Sequence, residues 1–498
     1  MHRGHPGQRD ELGSDPEYLQ IAGAGGLQAG RTSPFRRILF ETSMGMNGSW
    51  RRHLRELRRW QDLGDVGTRK VQEGLLWRLL DHAARHVPYY RDLFRDHGLL
   101  TGDRVRIGAM TDIPCLDRAT LRREFDRLRS DDLDRRRWWL NGTGGSTGEP
   151  VRFIQDHEEG MWRTAVERLF DEWADIPFGA RRVRLAGSER NLLPAPEPRG
   201  PRGLLDRWRC LKLRLYQWRR NELTLNSFRM TPQQMRAHTD RVDLWRPRHI
   251  AGYADSLFEL ARFIERSGRA VHSPDSIMSS SGTLLPYMRE TIERVFRAPV
   301  FDRYAAREFG SFAAEDRRHA GMIVAAPVRL VEILRPDGSP AGPLEEGEVV
   351  VTSLTSYAMP LLRYRIGDLG CMAERPCERT GWPVLAHLTG RITDTFVRPD
   401  GGVVSSLYFI HLVGVVLKAM WIRKIQIVQE ELSRIAVHLV LEPPVNESHP
   451  EFVQGTRWLA ERIRLAMGEG CAVEFRVRDD IPVEQSGKFR YTISRVAR

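Results

Sequence analysis

Asn141-Gly142-Thr143-Gly144-Gly145-Ser146-Thr147-Gly148-Glu149-Pro150, followed at once by Val151-Arg152-Phe153, is the stretch on which the reading of this chain turns. Three glycines within five positions let backbone N–H groups converge on an anion, and the hydroxyls of Thr143, Ser146 and Thr147 add donors that a phosphate can accept from. A phosphate-holding loop ahead of a strand and a flexible polar turn both have this composition. It is not a Walker loop, because the Gly-Lys-Ser/Thr ending and the helix after it are missing.

Downstream of the loop, strands and helices alternate. A strand from Val151 leads to a helix with Val166, Leu169, Phe170 and Trp173 on one side, then to a strand over Arg182–Leu185. Strand-like runs return at His249–Gly252, Asp275–Ser280, Val300–Tyr304 and Val328–Leu334. Pro336-Asp337-Gly338 then supplies a hairpin turn and Glu348–Leu354 a returning strand. Upstream, Leu76, Leu79, Leu80 and Ala83 predict a helix over Val71–His86 that Pro88 ends. The proline-rich residues 191–207 read as a surface insertion. After Gly390 the texture shifts to short strands at Arg423–Gln429 and Arg434–Leu441, a helix over Glu451–Met467 and a strand over Ala472–Val477.

The predicted fold class is therefore α/β: a large N-terminal body of several subdomains over residues 46–390, with a small, mobile α+β C-terminal domain over 391–498. Residues 1–45, rich in Gly, Ser, Pro and charge without a sustained period, are expected to be a disordered extension.

At 498 residues the chain is too long for one hydrophobic core. Its 41% hydrophobic and 29% charged residues are those of an ordinary globular protein. Five cysteines, odd in number and far apart, argue against a secreted disulfide framework and for a reducing, cytoplasmic setting. No run approaches the roughly 18 apolar residues of a membrane span, and the N-terminus lacks the apolar core of a secretory signal. The net charge of +12 invites a nucleic-acid reading. The arginines, however, are scattered from Arg3 to Arg498 rather than gathered with stacking aromatics, so no nucleic acid is expected, and an anionic small molecule accounts for a basic cleft equally well.

Four further segments carry chemistry. Asp302-Arg303-Tyr304-Ala305-Ala306-Arg307-Glu308-Phe309-Gly310 offers a carboxylate of the hard-oxygen type that magnesium takes; its bland alternative is a helix start with an Arg307–Glu308 surface pair. Leu362-Arg363-Tyr364-Arg365-Ile366-Gly367-Asp368-Leu369 places Asp368 at a strand end before a turn. A carboxylate there either accepts from both ribose hydroxyls or caps the turn. Gly390-Arg391-Ile392-Thr393-Asp394 falls where the texture changes. Gln485-Ser486-Gly487-Lys488-Phe489-Arg490 puts a lysine on the small domain, able to meet developing negative charge.

The Thr-Gly-Gly-Ser-Thr-Gly-Glu-Pro string at 143–150 resembles the phosphate loop of the adenylate-forming (acyl-CoA synthetase) superfamily. The likeness is to its phenylacetate-CoA ligase branch, which includes capsular polysaccharide biosynthesis proteins. The other four segments follow in that family's order, and Leu80-Asp81-His82-Ala83 with Val87-Pro88-Tyr89-Tyr90 resembles the branch's N-terminal helical segment. The resemblance implies that Thr143, Gly144, Gly145, Ser146, Thr147 and Gly148 hold the triphosphate and that Tyr304 lies near the adenine. It implies that Glu308 stands near the phosphates and Mg2+, Asp368 on the ribose, and Arg391 on the nucleotide beside a hinge at 391–394. Lys488 would support the attack, making Lys488, Glu308 and Arg391 the catalytic set. His249-Ile250-Ala251-Gly252-Tyr253-Ala254-Asp255-Ser256 and Ser279-Ser280-Ser281-Gly282 resemble the acyl-pocket wall and the strand end facing the nucleotide, which makes Tyr253 and Ser280 pocket residues. Ala305 and Thr393 depart from the family's usual glycine and acidic residue.

The implied activity is ATP-dependent conversion of a carboxylic acid, aromatic or hydrophobic, to acyl-AMP with pyrophosphate release, then transfer to coenzyme A. Transfer to an amine, a sugar or a carrier-protein thiol, and a non-catalytic nucleotide-binding relative, are the alternatives; a homodimer is left open. Some members hold a zinc. Here that region offers Asp316, His319, Cys371 and Cys377, with Asp316 and Arg379 where cysteines would be expected, and structural zinc prefers several thiolates, so none is predicted.

Overall fold

The computed structural model describes residues 49–102, 104–106, 111–142, 151–186, 221–227, 230–391, 396–404, 409, 421–482 and 489–496. Its helices are α1 (Ser49–Trp60), α2 (Gly64–His86), α3 (Pro88–Asp96), α4 (Arg118–Arg123), α5 (His157–Trp173), α6 (Pro232–Trp245), α7 (Ala254–Arg266), α8 (Pro286–Phe296) and α9 (Pro450–Met467). Two-residue strands aside, the strands are β1 (Trp138–Gly142), β2 (Arg152–Asp156), β3 (Arg182–Ala186), β4 (Glu222–Asn226), β5 (His249–Tyr253), β6 (Ser276–Ser280), β7 (Val300–Ala306), β8 (Gly310–Ala314), β9 (Met322–Val324), β10 (Arg329–Leu334), β11 (Gly347–Ser353), β12 (Tyr364–Met372), β13 (Val384–Arg391), β14 (Ile422–Glu431), β15 (Arg434–Leu441), β16 (Ala472–Val477) and β17 (Thr492–Ser494).

Helix α2 begins at Gly64, well before the expected Val71, and ends where Pro88 forces extended backbone on Val87, whose φ is −118°. Leu76, Leu79, Leu80 and Ala83 are its buried face. The predicted apolar side of α5 is buried as read, with Asp156 capping its N-terminus by accepting from Glu159 N at 2.8 Å.

One 11-stranded sheet runs β10-β11-β12-β13-β9-β8-β7-β6-β5-β3-β4. Strands β4, β3, β5, β6 and β7 pair in parallel, and every pairing from β7 to β10 is antiparallel. Strand β7 is thus the seam between the two halves. The parallel half has its own core, with Val183, Ile250, Leu257, Ile277, Ile292 and Val300 buried together. A separate four-stranded sheet, β16-β15-β14-β17, packs with α9 around Ile425, Ile427, Val437, Leu459 and Ile463.

The antiparallel half cannot be flat. Strands β8, β9 and β13 lie between β7 and β12, which would set the outer two about 19 Å apart at about 4.8 Å per strand. Yet Tyr304 on β7 and Asp368 on β12 are hydrogen-bonded at 2.6 Å. The sheet therefore curls until its far strand faces the seam, as right-handed twist and bulges allow. Register shifts within β8, β11, β12 and β13 supply the bulges.

Inside the curl sits an ion pair with no access to water. Arg329 Nη2 donates to Glu159 Oε1 at 2.9 Å, and Arg329 Nη1 donates to Ser353 Oγ at 2.9 Å and Thr355 Oγ1 at 3.1 Å. Arg329 is 0% and Glu159 1% exposed. Arg329→Met would leave the Glu159 carboxylate buried with only the Arg163 guanidinium, at 3.5 Å, as a charged partner, so chemical denaturation should show a loss of about 3 kcal/mol in the body's stability. A loss indistinguishable from that of a surface arginine would contradict the reading of this pair.

Candidate active site

The turn between β7 and β8 is where the candidate site is built. Ala306 pairs with Gly310, leaving Arg307, Glu308 and Phe309 as a three-residue hairpin loop. Such loops close through a residue in left-handed backbone, and Gly310 has φ +71°. A side chain there would be strained, and its Cβ would approach the stem of Arg163 to 3.1 Å. Phe309 is buried against Tyr364 and Phe312, and Glu308 goes down with it to 8% exposure. A β-hairpin carrying a buried carboxylate thus replaces the helix start with an exposed ion pair.

Buried and half-buried donors hold the backbone of this turn. The carbonyl of Arg307 accepts from Arg163 Nη2 at 2.8 Å and Gln155 Nε2 at 3.2 Å; that of Phe309 accepts from Arg329 Nη2 at 3.1 Å. The Arg307 guanidinium donates to Gly142 O at 2.9 Å, and Asn141 Nδ2 donates to Gln155 Oε1 at 2.9 Å. Residues 141 and 142 end β1, directly before the glycine-rich stretch that joins β1 to β2 in the chain. Thr143, Gly144, Gly145, Ser146, Thr147 and Gly148 lie outside the described residues, but the end of β1 just before them is tied to the Glu308 turn. Gln155, Arg163 and Arg329 had no signal in the sequence, where charged and amide side chains read as surface.

Tyr304 donates its O–H to Asp368 Oδ2 at 2.6 Å. Asp368 is not at a strand end, as expected, but within β12. There Gly367 takes φ +84° and the register slips after Leu369, a bulge that re-aims the carboxylate. Arg391 stands opposite Asp368 in the β12–β13 ladder. Tyr364 donates to Glu308 Oε1 at 3.3 Å. Burial, and after it the Glu308 charge, pushes the Tyr364 phenol above its ordinary value, so it remains a donor through the neutral range.

Tyr253 and Ser280 are the last residues of β5 and β6 and pair with each other, and Ser280 pairs with Arg303 on β7. Tyr253, Ser280 and Tyr304 therefore follow one another across the carboxyl ends of adjacent parallel strands, the place where open α/β sheets bind ligands. Lys488 lies outside the described residues. Phe489–Tyr491, directly after it, are described, and the Tyr491 phenol, pushed up by burial and then by the Asp255 charge, lies beside that carboxylate, two residues beyond Tyr253.

Around Asp316, His319, Cys371 and Cys377, Arg379 Nε faces Asp316 Oδ2 at 3.9 Å, and Cys371 Sγ sits 3.2 Å from His387 Nδ1. Among the described residues no group of three His, Cys, Asp or Glu side chains could hold a metal ion. Among them, too, no helix is long and apolar enough to cross a membrane.

The architecture has solved counterparts. The chain matches 2-hydroxyisobutyryl-CoA ligase in the postadenylation state in complex with R3-HIB-AMP with a TM-score of 0.65, at 16% identity, over 86% of this chain and 89% of that one. This chain has the adenylate-forming ligase fold. The same ligase in complex with 2-HIB-AMP and CoA in its thioesterification state matches at a TM-score of 0.55 and 18% identity, over 88% and 91% of the two chains. Protein CapK of Staphylococcus aureus is 21% identical over 446 residues, 89% of this chain and 92% of that one. Residues 396–495 match the family model of the CapK C-terminal domain.

In this body a pair of carboxyl groups, Asp302 on β7 and Glu315 just past β8, lies close together. Glu315 takes a bidentate contact from Arg289 at 2.7 and 2.9 Å and accepts from the Asp302 backbone N–H at 2.9 Å. Burial, then the Glu315 charge, pushes the Asp302 carboxyl up to about 7. Raised in the fold, this group binds its proton more tightly there than in the open chain, so its contribution to stability is full below about 4 and is lost as pH rises through about 7. Asp302→Asn should remove that loss: the variant should gain on the parent between pH 5 and pH 8 in denaturation experiments. An identical stability difference at both pH values would contradict the assignment.

Proposed function

We propose that the chain uses ATP to activate a carboxylic acid as acyl-AMP and passes the acyl group to the thiol of coenzyme A. The observation that carries this reading is the meeting of Tyr304 and Asp368 at the carboxyl ends of the parallel strands, beside Glu308 and the end of β1 before the glycine-rich stretch. A nucleotide laid there has its ribose hydroxyls against Asp368, its adenine beside Tyr304 and its phosphates toward residues 143–148. The 2-hydroxyisobutyryl-CoA ligase structures, which hold acyl-AMP and CoA, support the two-step chemistry.

In the first step a carboxylate oxygen of the acid attacks the α-phosphorus, and the bond from that phosphorus to the pyrophosphate oxygen breaks. In the second, the thiol sulfur attacks the acyl carbon and AMP leaves with its oxygen, the thiol proton passing to solvent. Catalysis in the first step is alignment plus stabilisation of growing negative charge, the part assigned to Arg391 and Lys488. Magnesium fits the donor set: Glu308 is a hard oxygen ligand whose contact with Tyr364 is long, and the ion takes one or two protein carboxylates while keeping phosphate oxygens. When bound it would neutralise phosphate charge. Residues 391–394 serve as the hinge on which the C-terminal domain exchanges Lys488 for the thiol between steps. Tyr253 and Ser280 border the acid; the few scattered cysteines suit a reducing cytoplasm.

Pyrophosphate exchange across a panel of aromatic and aliphatic acids should respond to at least one. Mass spectrometry with and without coenzyme A then separates a thioester product from transfer to an amine, sugar or carrier thiol. Tight ATP binding with no exchange for any acid would overturn the enzyme reading. Lys488→Ala should cripple exchange and spare thioester formation from supplied acyl-AMP; equal loss in both would contradict its role. Asp368→Asn, which loses the charge that ribose hydroxyls donate to, should raise the KM for ATP by about tenfold or more. An unchanged KM would remove Asp368 from the site.

A further inference from the structure

Helix α7 carries a polar stripe for which the two-step chemistry has no use. Asp255, Glu259, Arg262 and Arg266 recur at steps of four, three and four residues and so share one face, while Leu257, Leu260, Ala261 and Ile264 are buried in the core of the parallel half. Each member of the stripe meets the C-terminal domain. The Asp255 carboxylate lies beside the Tyr491 phenol, and Glu259 faces Lys424 Nζ at 3.9 Å. Arg262 Nη1 donates to Ile422 O at 3.2 Å, and Arg266 Nη2 pairs with Glu442 Oε1 at 2.6 Å. Tyr287 and Tyr491 lie alongside, each packed against both the core of the parallel half and that of the C-terminal domain.

Singly these contacts are weak, because partly exposed ion pairs contribute little. Together, on one rigid helix and at matched spacing, they specify register, which is what complementary charge does best at an interface. The register has a direction. Asp255 lies two residues past Tyr253, and a Cβ on Gly282 would stand 3.4 Å from its Oδ2, so the stripe begins at the carboxyl ends of β5 and β6. Tyr491, seated there, is three residues from Lys488.

We propose that the Asp255–Glu259–Arg262–Arg266 face of α7 is the docking surface that positions the C-terminal domain, and with it the Lys488 segment, for acid activation and not for transfer to the thiol. This rests on the two-step reading above. The residues of the stripe are positioning residues, acting through the segment that they place.

Charge reversal at the Arg266–Glu442 pair tests it. Arg266→Glu and Glu442→Arg should each lower acid-dependent pyrophosphate exchange about fivefold and leave thioester formation from supplied acyl-AMP within about twofold, and the double variant should recover most of the loss. Equal loss in both half-reactions, or no recovery in the double variant, overturns the proposal. Small-angle scattering of the substrate-free chain gives a second readout that needs no turnover: each single variant should expand and the double variant contract again. Unchanged dimensions in both single variants would overturn the docking face. Absence of exchange in the parent chain would instead count against the acyl-AMP chemistry, and scattering would still decide the docking face.

Discussion

A phenol on the seam strand and a carboxylate four strands away along the sheet meet at 2.6 Å, and most of what this molecule can do follows from that bond. The bond marks how far the antiparallel half, bent by its twist and bulges, closes toward the seam. With it, Asp368 stands beside Tyr304, close to the carboxyl ends of β5, β6 and β7. Tyr304 and Asp368 are 64 positions apart in the chain, so the contact costs considerable loop-closure entropy, and the apolar lining of the curl, including Phe309, Phe312 and Tyr364, must offset it.

The Glu308 turn shows how a reactive constellation is made rigid. Its carbonyls are gripped by side chains from β2, α5 and β10, and the grip is anchored by the dry Arg329–Glu159 pair. Ion pairs of this kind add little net stability, yet they leave few alternative arrangements for the groups bonded to them. A carboxylate held by such a scaffold does not need to reorganise when charge develops beside it, which is the condition for electrostatic preorganisation.

Much of this was legible in the sequence, for a physical reason. The strands of the parallel half are largely buried and their helices bury one face, so apolar periodicity placed β5, β6, β14, β15 and β16 within about two residues and found the buried side of α5, but it missed β17. The family-like segments pointed to Tyr304 and Asp368, which the fold brings into contact. Two things were not legible. Asp368 sits inside a strand and not at its end, because a bulge at Gly367–Gly370 is a property of pairing between strands and leaves no local signal. The buried Gln155 and Arg329, the half-buried Arg163 and the stripe on α7 look like solvated surface in one dimension; only the fold reveals that carbonyls and a second domain occupy the places where water would be.

The account stands or falls on one bound nucleotide. A crystal structure with a non-hydrolysable ATP analogue and magnesium should place the adenine beside Tyr304, the ribose hydroxyls on Asp368 and the phosphates under the 143–148 loop near Glu308. Nucleotide density away from the carboxyl ends of β5, β6 and β7, or none at saturating concentration, would contradict it.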